Sequence, residues 1–274
     1  MYKKGLRKSL NIGGFFQCAE YRRKFALDHP YYFDPCGTLI FSGPQGSGKT
    51  LSAVDYCTRV MSAYPLAILC TNTEFTELPF NAELVLNGDD FSLVDIDTRD
   101  VITPQYIADR VNDDDKYRVC VEYMGLDCLK WINNAEYGVL FFIDEFHLEL
   151  NSLESKNIDI DIITEISQQR KQRKHIVGTS QVFMRLAKPL REQIKDVVDC
   201  HCLFKSFQWN IIIDGEKSTE KDGKLQAVKK GTSFFFHSPD MYRRYDTYAK
   251  MKRYNKEWQG RARVPDSELF KRSV

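Results

Sequence analysis

Two kinds of hydrophobic spacing alternate along the chain. Runs in which apolar residues dominate occur at 37–42, 66–71, 138–143, 175–179 and 196–204, with a shorter one at 91–94. Strands buried on both faces read this way, because neither side of the pleat meets water. Between them, apolar residues recur at helical spacing. Leu51, Val54, Cys57 and Met61 place a helix over 50–63, and Ile162 and Ile166 share a face with Arg170 in a helix predicted over 160–173. Segments 105–111 and 123–133 read as further helices, and Pro189 suits the first turn of one running to Lys195. Strands alternating with helices predict an α/β fold with a mainly parallel sheet covered by helices on both faces.

The pattern changes after residue 206. Trp209–Ile213 and Gly231–Phe236 read as two strands of a β-hairpin or sheet-edge element. A turn is expected at Asp214-Gly215, followed by a long charged loop over 216–224. From Pro239 the chain becomes basic and aromatic and begins as a helix. The expected organisation is an N-terminal extension (1–36), a core (37–206), the hairpin (207–238) and a C-terminal tail (239–274).

Chemistry enters at the end of the first buried strand. Gly43-Pro44-Gln45-Gly46-Ser47-Gly48-Lys49-Thr50 matches GxxxxGK[ST] in full, with a strand entering and a helix leaving. The glycines let the backbone come close to phosphate oxygens, and the amides of Gly46, Ser47, Gly48 and Lys49 converge at a helix N-terminus. Lys49 is expected to reach the β- and γ-phosphates and the Thr50 hydroxyl to ligate Mg²⁺. The most apolar strand ends in Asp144-Glu145, an hhhhDE pattern. Asp144 would hold the Mg²⁺. Glu145 would orient and deprotonate an attacking water. With no guanine-reading NKxD-like motif, ATP is the expected nucleotide.

Two further features carry alternatives. The strand His175–Thr179 runs into Ser180-Gln181, and Gln181, with Ser180 behind it, either senses the γ-phosphate or merely hydrogen-bonds a loop. Arg170 and Arg173, on one face of a helix end, either complement the helix dipole or reach a neighbouring subunit's ATP as an arginine finger, with Arg173 ahead of Arg170. Arg185 and Arg191 are further candidates.

Composition narrows the class. The chain has 274 residues and a net charge of +1, so no global field marks a nucleic-acid partner. The charge is uneven, however. Residues 89–115 are acidic. The tail from Met241 is basic, with Arg243, Arg244, Lys250, Lys252, Arg253, Lys256, Arg261, Arg263, Lys271 and Arg272 among tyrosines and Trp258. Such a tail either contacts nucleic acid or packs its aromatic rings on the core. Arg22-Arg23-Lys24 and the loop expected at 216–230 are alternative contacts. Eight cysteines without a CxxC pair fit reduced thiols, and Cys200-His201-Cys202 on a strand splits across two faces instead of forming a metal cluster. No apolar run spans a bilayer and the basic N-terminus has no apolar stretch after it, so a cytoplasmic protein without an integral membrane segment is expected.

GPQGSGKT, FFIDEFHLELNS, QQRKQRKHIVGTSQ followed by Arg185 and Pro189-Leu190-Arg191, and the stretch Tyr242-Arg-Arg-Tyr245-Asp246-Thr247 together resemble the FtsK–HerA superfamily. The likeness is to its phage branch of genome-packaging ATPases and zonular-occludens-toxin-like morphogenesis proteins. The resemblance implies a RecA-like P-loop NTPase core and a ring-shaped homo-oligomer, often a hexamer, that moves DNA with ATP. Residues Lys49, Thr50, Asp144, Glu145 and Gln181 carry over, with the arginine region at 170–174. The zonular-occludens-toxin-like proteins usually carry a membrane helix after this domain, and its lack here favours a packaging motor working in the cytoplasm, the host's for a virus, or attached to a virion or portal. The alternatives are a virion assembly or secretion ATPase that threads no DNA, and a replicative helicase or its loader.

Overall fold

The structure, a computed structural model, describes residues 12–35, 37–87, 90–150, 160–221 and 224–245. The helices are α1 (Ile12–Asp28), α2 (Lys49–Ala63), α3 (Pro104–Asp113), α4 (Cys128–Trp131), α5 (Ile160–Gln168), α6 (Lys188–Arg191) and α7 (Pro239–Arg243). The strands are β1 (Gly37–Ser42), β2 (Ile68–Thr71), β3 (Ala82–Asn87), β4 (Asp90–Asp95), β5 (Val119–Glu122), β6 (Val139–Ile143), β7 (Lys174–Ser180), β8 (Ile194–Leu203), β9 (Phe207–Lys221) and β10 (Lys224–Phe236).

The ten strands of the described residues form one sheet in the order β10-β9-β8-β1-β7-β6-β2-β5-β3-β4. From β8 through β3 in that order the strands run parallel, while β4 pairs antiparallel with β3 at one edge and β9 pairs antiparallel with both β8 and β10 at the other. The continuous apolar runs now have a cause. Their alternate residues face two separate cores. Phe41, Leu140, Phe142 and Val177 pack with Val54, Cys57 and Met61 of α2 on one face. Ile40, Phe141, Ile143 and Ile176 pack with Ile107 of α3, Leu129 of α4, Ile162 and Ile166 of α5 and Leu190 of α6 on the other. Each such side chain, fully buried, contributes roughly 1.5–3 kcal/mol. The expected α/β architecture with helices on both faces is thus the observed one. No helix among the described residues is long and apolar enough to cross a membrane.

Several elements differ from their sequence expectation. The helix expected over 123–133 is a single turn, α4, and the strand β5 before it was not anticipated, nor was β3. β5 is only four residues long, and β3 is only partly buried and carries Glu83, so neither shows the uninterrupted apolar run that marks β6. Helix α5 stops at Gln168 instead of Arg173, because the buried Gln169 leaves the helical path to donate from Nε2 to Thr38 Oγ1 at 2.8 Å. Arg170 and Arg173 therefore do not share a helix face. Beyond Arg191, α6 gives way to β8. The turn expected at Asp214-Gly215 is mid-strand. Asp214 pairs with Asp196 of β8 and Val228 of β10, and a Cβ at Gly215 would run into the Ile194 carbonyl, so glycine serves close strand approach there. The charged stretch from Glu216 to Lys221 continues β9, so the expected loop is the far end of a long hairpin.

One buried pair makes stability pH-dependent. His175 on β7 sits among apolar groups, its Nε2 2.8 Å from the Tyr56 hydroxyl and its Nδ1 3.0 Å from the Gly37 carbonyl. Burial pushes the imidazole down to about 4. The folded state therefore refuses a proton that the unfolded chain accepts below about 6.5. Stability is full above that pH and falls as pH drops from about 6.5 to about 4, by on the order of 3 kcal/mol from this group. Urea unfolding of wild type and His175→Gln at pH 7.5 and 4.5 should show a smaller pH dependence in the variant; equal slopes would remove His175 as the cause.

Candidate nucleotide-binding site

Strand β1 delivers the phosphate-type turn to the C-terminal edge of the sheet, where ligands of open α/β sheets bind. Gly43, Gly46 and Gly48 have φ of 151°, 79° and 79°, a backbone path that L side chains rarely adopt. Gly48 is doubly required, since a Cβ there would land on the buried Gln208 amide. Gly48 caps α2, so the turn's amides lie at the N-terminus of a helix of 15 residues. Pro44, Gln45 and Gly46 are exposed at the rim, and Lys49 Nζ lies 3.2 Å from the Pro44 carbonyl. Ser47 Oγ is buried with no hydrogen-bond partner, a polar atom left for a ligand or a water.

The acidic pair arrives on β6, separated from β1 by β7 alone. Thr50 Oγ1 donates to Asp144 Oδ1 at 3.1 Å, so the phosphate turn and the acidic strand meet although they are 94 positions apart in the chain. Asp144 is tightly fixed. Thr179 Oγ1 donates to the same oxygen at 2.6 Å, and Asn72 clamps the Asp144 backbone through its N–H (2.8 Å) and its carbonyl (3.1 Å). Glu145 takes a left-handed backbone, φ 56°, and its N–H donates to Thr179 Oγ1 at 2.8 Å. Such a conformation is uncommon for a non-glycine residue and gathers at functional sites. Next to it, His147 is buried with Nδ1 unpartnered. Burial holds its imidazole below the usual range; the Glu145 and Asp144 carboxylates pull it back up, while Arg185 and Lys49 push it down.

Lys49, Thr50, Asp144, Glu145 and Gln181 line one cleft of about 690 Å³ together with Gln45, Gly46 and Gly48. Ser180 instead turns its hydroxyl to the Val182 carbonyl, 2.9 Å away, and its backbone carbonyl accepts from the Gly43 N–H. Arg170 and Arg173 lie elsewhere. Arg173, φ 56°, stacks on the Tyr32 ring at 3.9 Å just before β7 begins. Gln181 follows the other end of that strand, roughly 20 Å away at ~3.3 Å per residue. Arg170 is exposed in the same turn. Neither reaches the cleft of its own chain. Arg191 is held by Met184, and Arg244 by Asp55 at 3.0 Å. The tail beyond Tyr245, with Lys250 and the basic and aromatic residues after it, lies outside the described residues, as do residues 1–11. Arg22, Arg23 and Lys24 sit on α1, whose side chains are not buried and where Lys24 pairs with Glu20.

Sequence reasoning passed over Thr179, Asn72, Gln208 and His237. Gln208 on β9 donates from Nε2 to the Ser47 carbonyl at 2.9 Å, and its Oε1 lies 3.0 Å from His237 Nε2. Gln208 is fully buried, yet its aromatic and polar sequence neighbours give no sign of that. Only the pairing of β9 in the sheet shows that it faces the phosphate turn.

The cleft and fold define a P-loop nucleotide-binding domain. Neither a protein family nor a curated protein matches the chain. Among solved structures, the N-terminal domain of zonular occludens toxin from Neisseria meningitidis is similar at 14% identity and a TM-score of 0.46, covering 78% of this chain and 100% of that one. The genome packaging NTPase B204 from Sulfolobus turreted icosahedral virus 2, in complex with ATP-gammaS, is similar at 11% identity and a TM-score of 0.43, covering 71% and 97%. B204, the DNA-packaging ATPase from Sulfolobus turreted icosahedral virus, is similar at 11% identity and a TM-score of 0.36, covering 70% and 96%.

Proposed function

We propose that the cleft binds ATP with Mg²⁺ and hydrolyses it, and that the chain is the motor subunit of a ring, hexameric by the resemblance of its motifs, that moves DNA during viral or mobile-element genome packaging. The observation that carries the first half is the Thr50–Asp144 hydrogen bond at 3.1 Å. It brings a phosphate-binding turn, a hydroxyl and a carboxylate to one point, the donor set that suits a hard cation bound to phosphate oxygens.

Each residue then has a task. The amides of the turn and Lys49 hold the β- and γ-phosphates. Thr50 and Asp144 would hold the Mg²⁺, which when bound neutralises charge on the phosphate oxygens. Glu145 accepts the proton of the attacking water, and Thr179 fixes the backbone that aims it. Gln181 at the cleft wall orients the water or senses the γ-phosphate. Because Arg170 and Arg173 lie at the far edge of the sheet, either could serve only a neighbour's site, which fits a ring. In a viral setting the motor would act in the host cytoplasm or at the virion's portal.

The DNA half is tested by ATP turnover with and without single- and double-stranded DNA, beside particle size from light scattering. Several-fold stimulation by one of the DNAs and a particle of several subunits are expected. Turnover indifferent to DNA would reject the translocase and leave an assembly or secretion ATPase; directional strand separation would indicate a helicase.

A further inference from the structure

The cleft extends past the phosphate turn. The carboxylates on β6, the Gln181 end of β7 and the turn after β1 follow one another along the sheet edge, and the next strand outward is β8. A triphosphate whose γ end faces Asp144 and Glu145 therefore points its other end toward β8 and β9. There the cleft is lined by Cys202, Lys205, His237 and Tyr242.

This end is built, and part of it is strained. Phe204 and Lys205 form the β8–β9 turn with φ of 53° and 58°, closed by the Ser206 N–H to the Leu203 carbonyl at 3.2 Å. Left-handed backbone at both central residues is the type I′ geometry that Asn and Gly favour; Phe and Lys hold it here at a sheet edge facing the cleft. Behind the turn the polar groups are locked. Both amide hydrogens of Gln208 are engaged, by the Ser47 carbonyl at 2.9 Å and Asn210 Oδ1 at 2.8 Å. Gln208 Oε1 then accepts from His237 Nε2 (3.0 Å), which leaves His237 Nδ1 to accept from the Tyr242 hydroxyl (2.5 Å). The two rings meet edge to face at 5.5 Å, and Tyr242 stays half-exposed toward the cleft.

We propose that this end is the nucleoside subsite: the base of a purine nucleoside triphosphate stacks on the Tyr242–His237 wall, and Gln208 ties that wall to the phosphate turn through the Ser47 carbonyl. The assignment rests on the nucleotide reading of the same cleft. Recognition is by ring faces, because the nitrogens of His237 and the amide of Gln208 are already taken.

Calorimetric titration with ATP and with inorganic tripolyphosphate, both in Mg²⁺, separates the two ends, since tripolyphosphate has no base. Tyr242→Ala should weaken ATP about ten-fold or more, the usual contribution of one stacked base, and leave tripolyphosphate unchanged. Tyr242→Phe, which keeps the ring, should bind ATP nearly as wild type. The subsite is overturned if Tyr242→Ala binds ATP normally, if both ligands weaken equally, or if Tyr242→Phe loses as much as Tyr242→Ala. Wild type binding ATP no better than tripolyphosphate would also overturn it while leaving the phosphate site intact. Wild type binding neither ligand would remove the nucleotide reading and the subsite with it.

Discussion

Glu145→Gln is expected to bind ATP with wild-type affinity and to hydrolyse it about 10²–10⁴-fold more slowly, the usual contribution of a positioned general base. The amide is nearly isosteric with the carboxylate and keeps the backbone N–H that Thr179 Oγ1 accepts at 2.8 Å, so the local fold is retained. It cannot take a proton from water. Asp144 with its Thr50 and Thr179 partners is untouched, so the metal and phosphate contacts survive. Single-turnover hydrolysis and nucleotide binding, measured on the same preparation, separate the two effects. Turnover within a few-fold of wild type would show that another group activates the water, and His147, buried with a free Nδ1 beside Glu145, would be the first alternative.

Lys49→Ala is expected to lose turnover and to weaken ATP by roughly 10–100-fold, since a hydrogen bond to a charged partner contributes about 1.5–3 kcal/mol. Thermal unfolding of the ligand-free variant should match wild type, because the only hydrogen bond of the Lys49 side chain among the described residues is to the exposed Pro44 carbonyl. Undiminished ATP binding would mean that the lysine points away from the phosphates and would undo the assignment of the cleft. A lowered melting temperature together with lost binding would instead trace the loss to misfolding.

These two variants act at residues that the sequence itself exposed, and the reason is locality. The glycine spacing of the phosphate turn is dictated by backbone sterics over eight positions, and the apolar run into Asp144-Glu145 by burial of a single strand. Either can be read without knowing its neighbours. The same holds for β1 and β7, whose largely apolar runs follow from cover on both faces of the central sheet, and for α2, whose buried side repeats at helical spacing. Weak local signals misled. Strand β5 is four residues long and leaves little trace in the sequence, and the segment after it carries helix formers, so a full helix is expected over 123–133 where only the single turn α4 forms. Helix α5 loses its last turn to one side-chain hydrogen bond, from Gln169 to a residue 131 positions away.

Sequence alone therefore determined the groups of the candidate site: a glycine turn with its lysine, a hydroxyl, a carboxylate pair and a polar strand end on an α/β scaffold. Tertiary structure decided which groups complete it. That Thr179, rather than Ser180, supports Asp144, that Asn72 clamps the acidic strand, and that Gln208, 161 residues after Ser47, braces the turn all follow from the order and register of ten strands. Strand order is set by the total burial of two cores and by pairing between distant segments, and no window of neighbouring residues contains that sum.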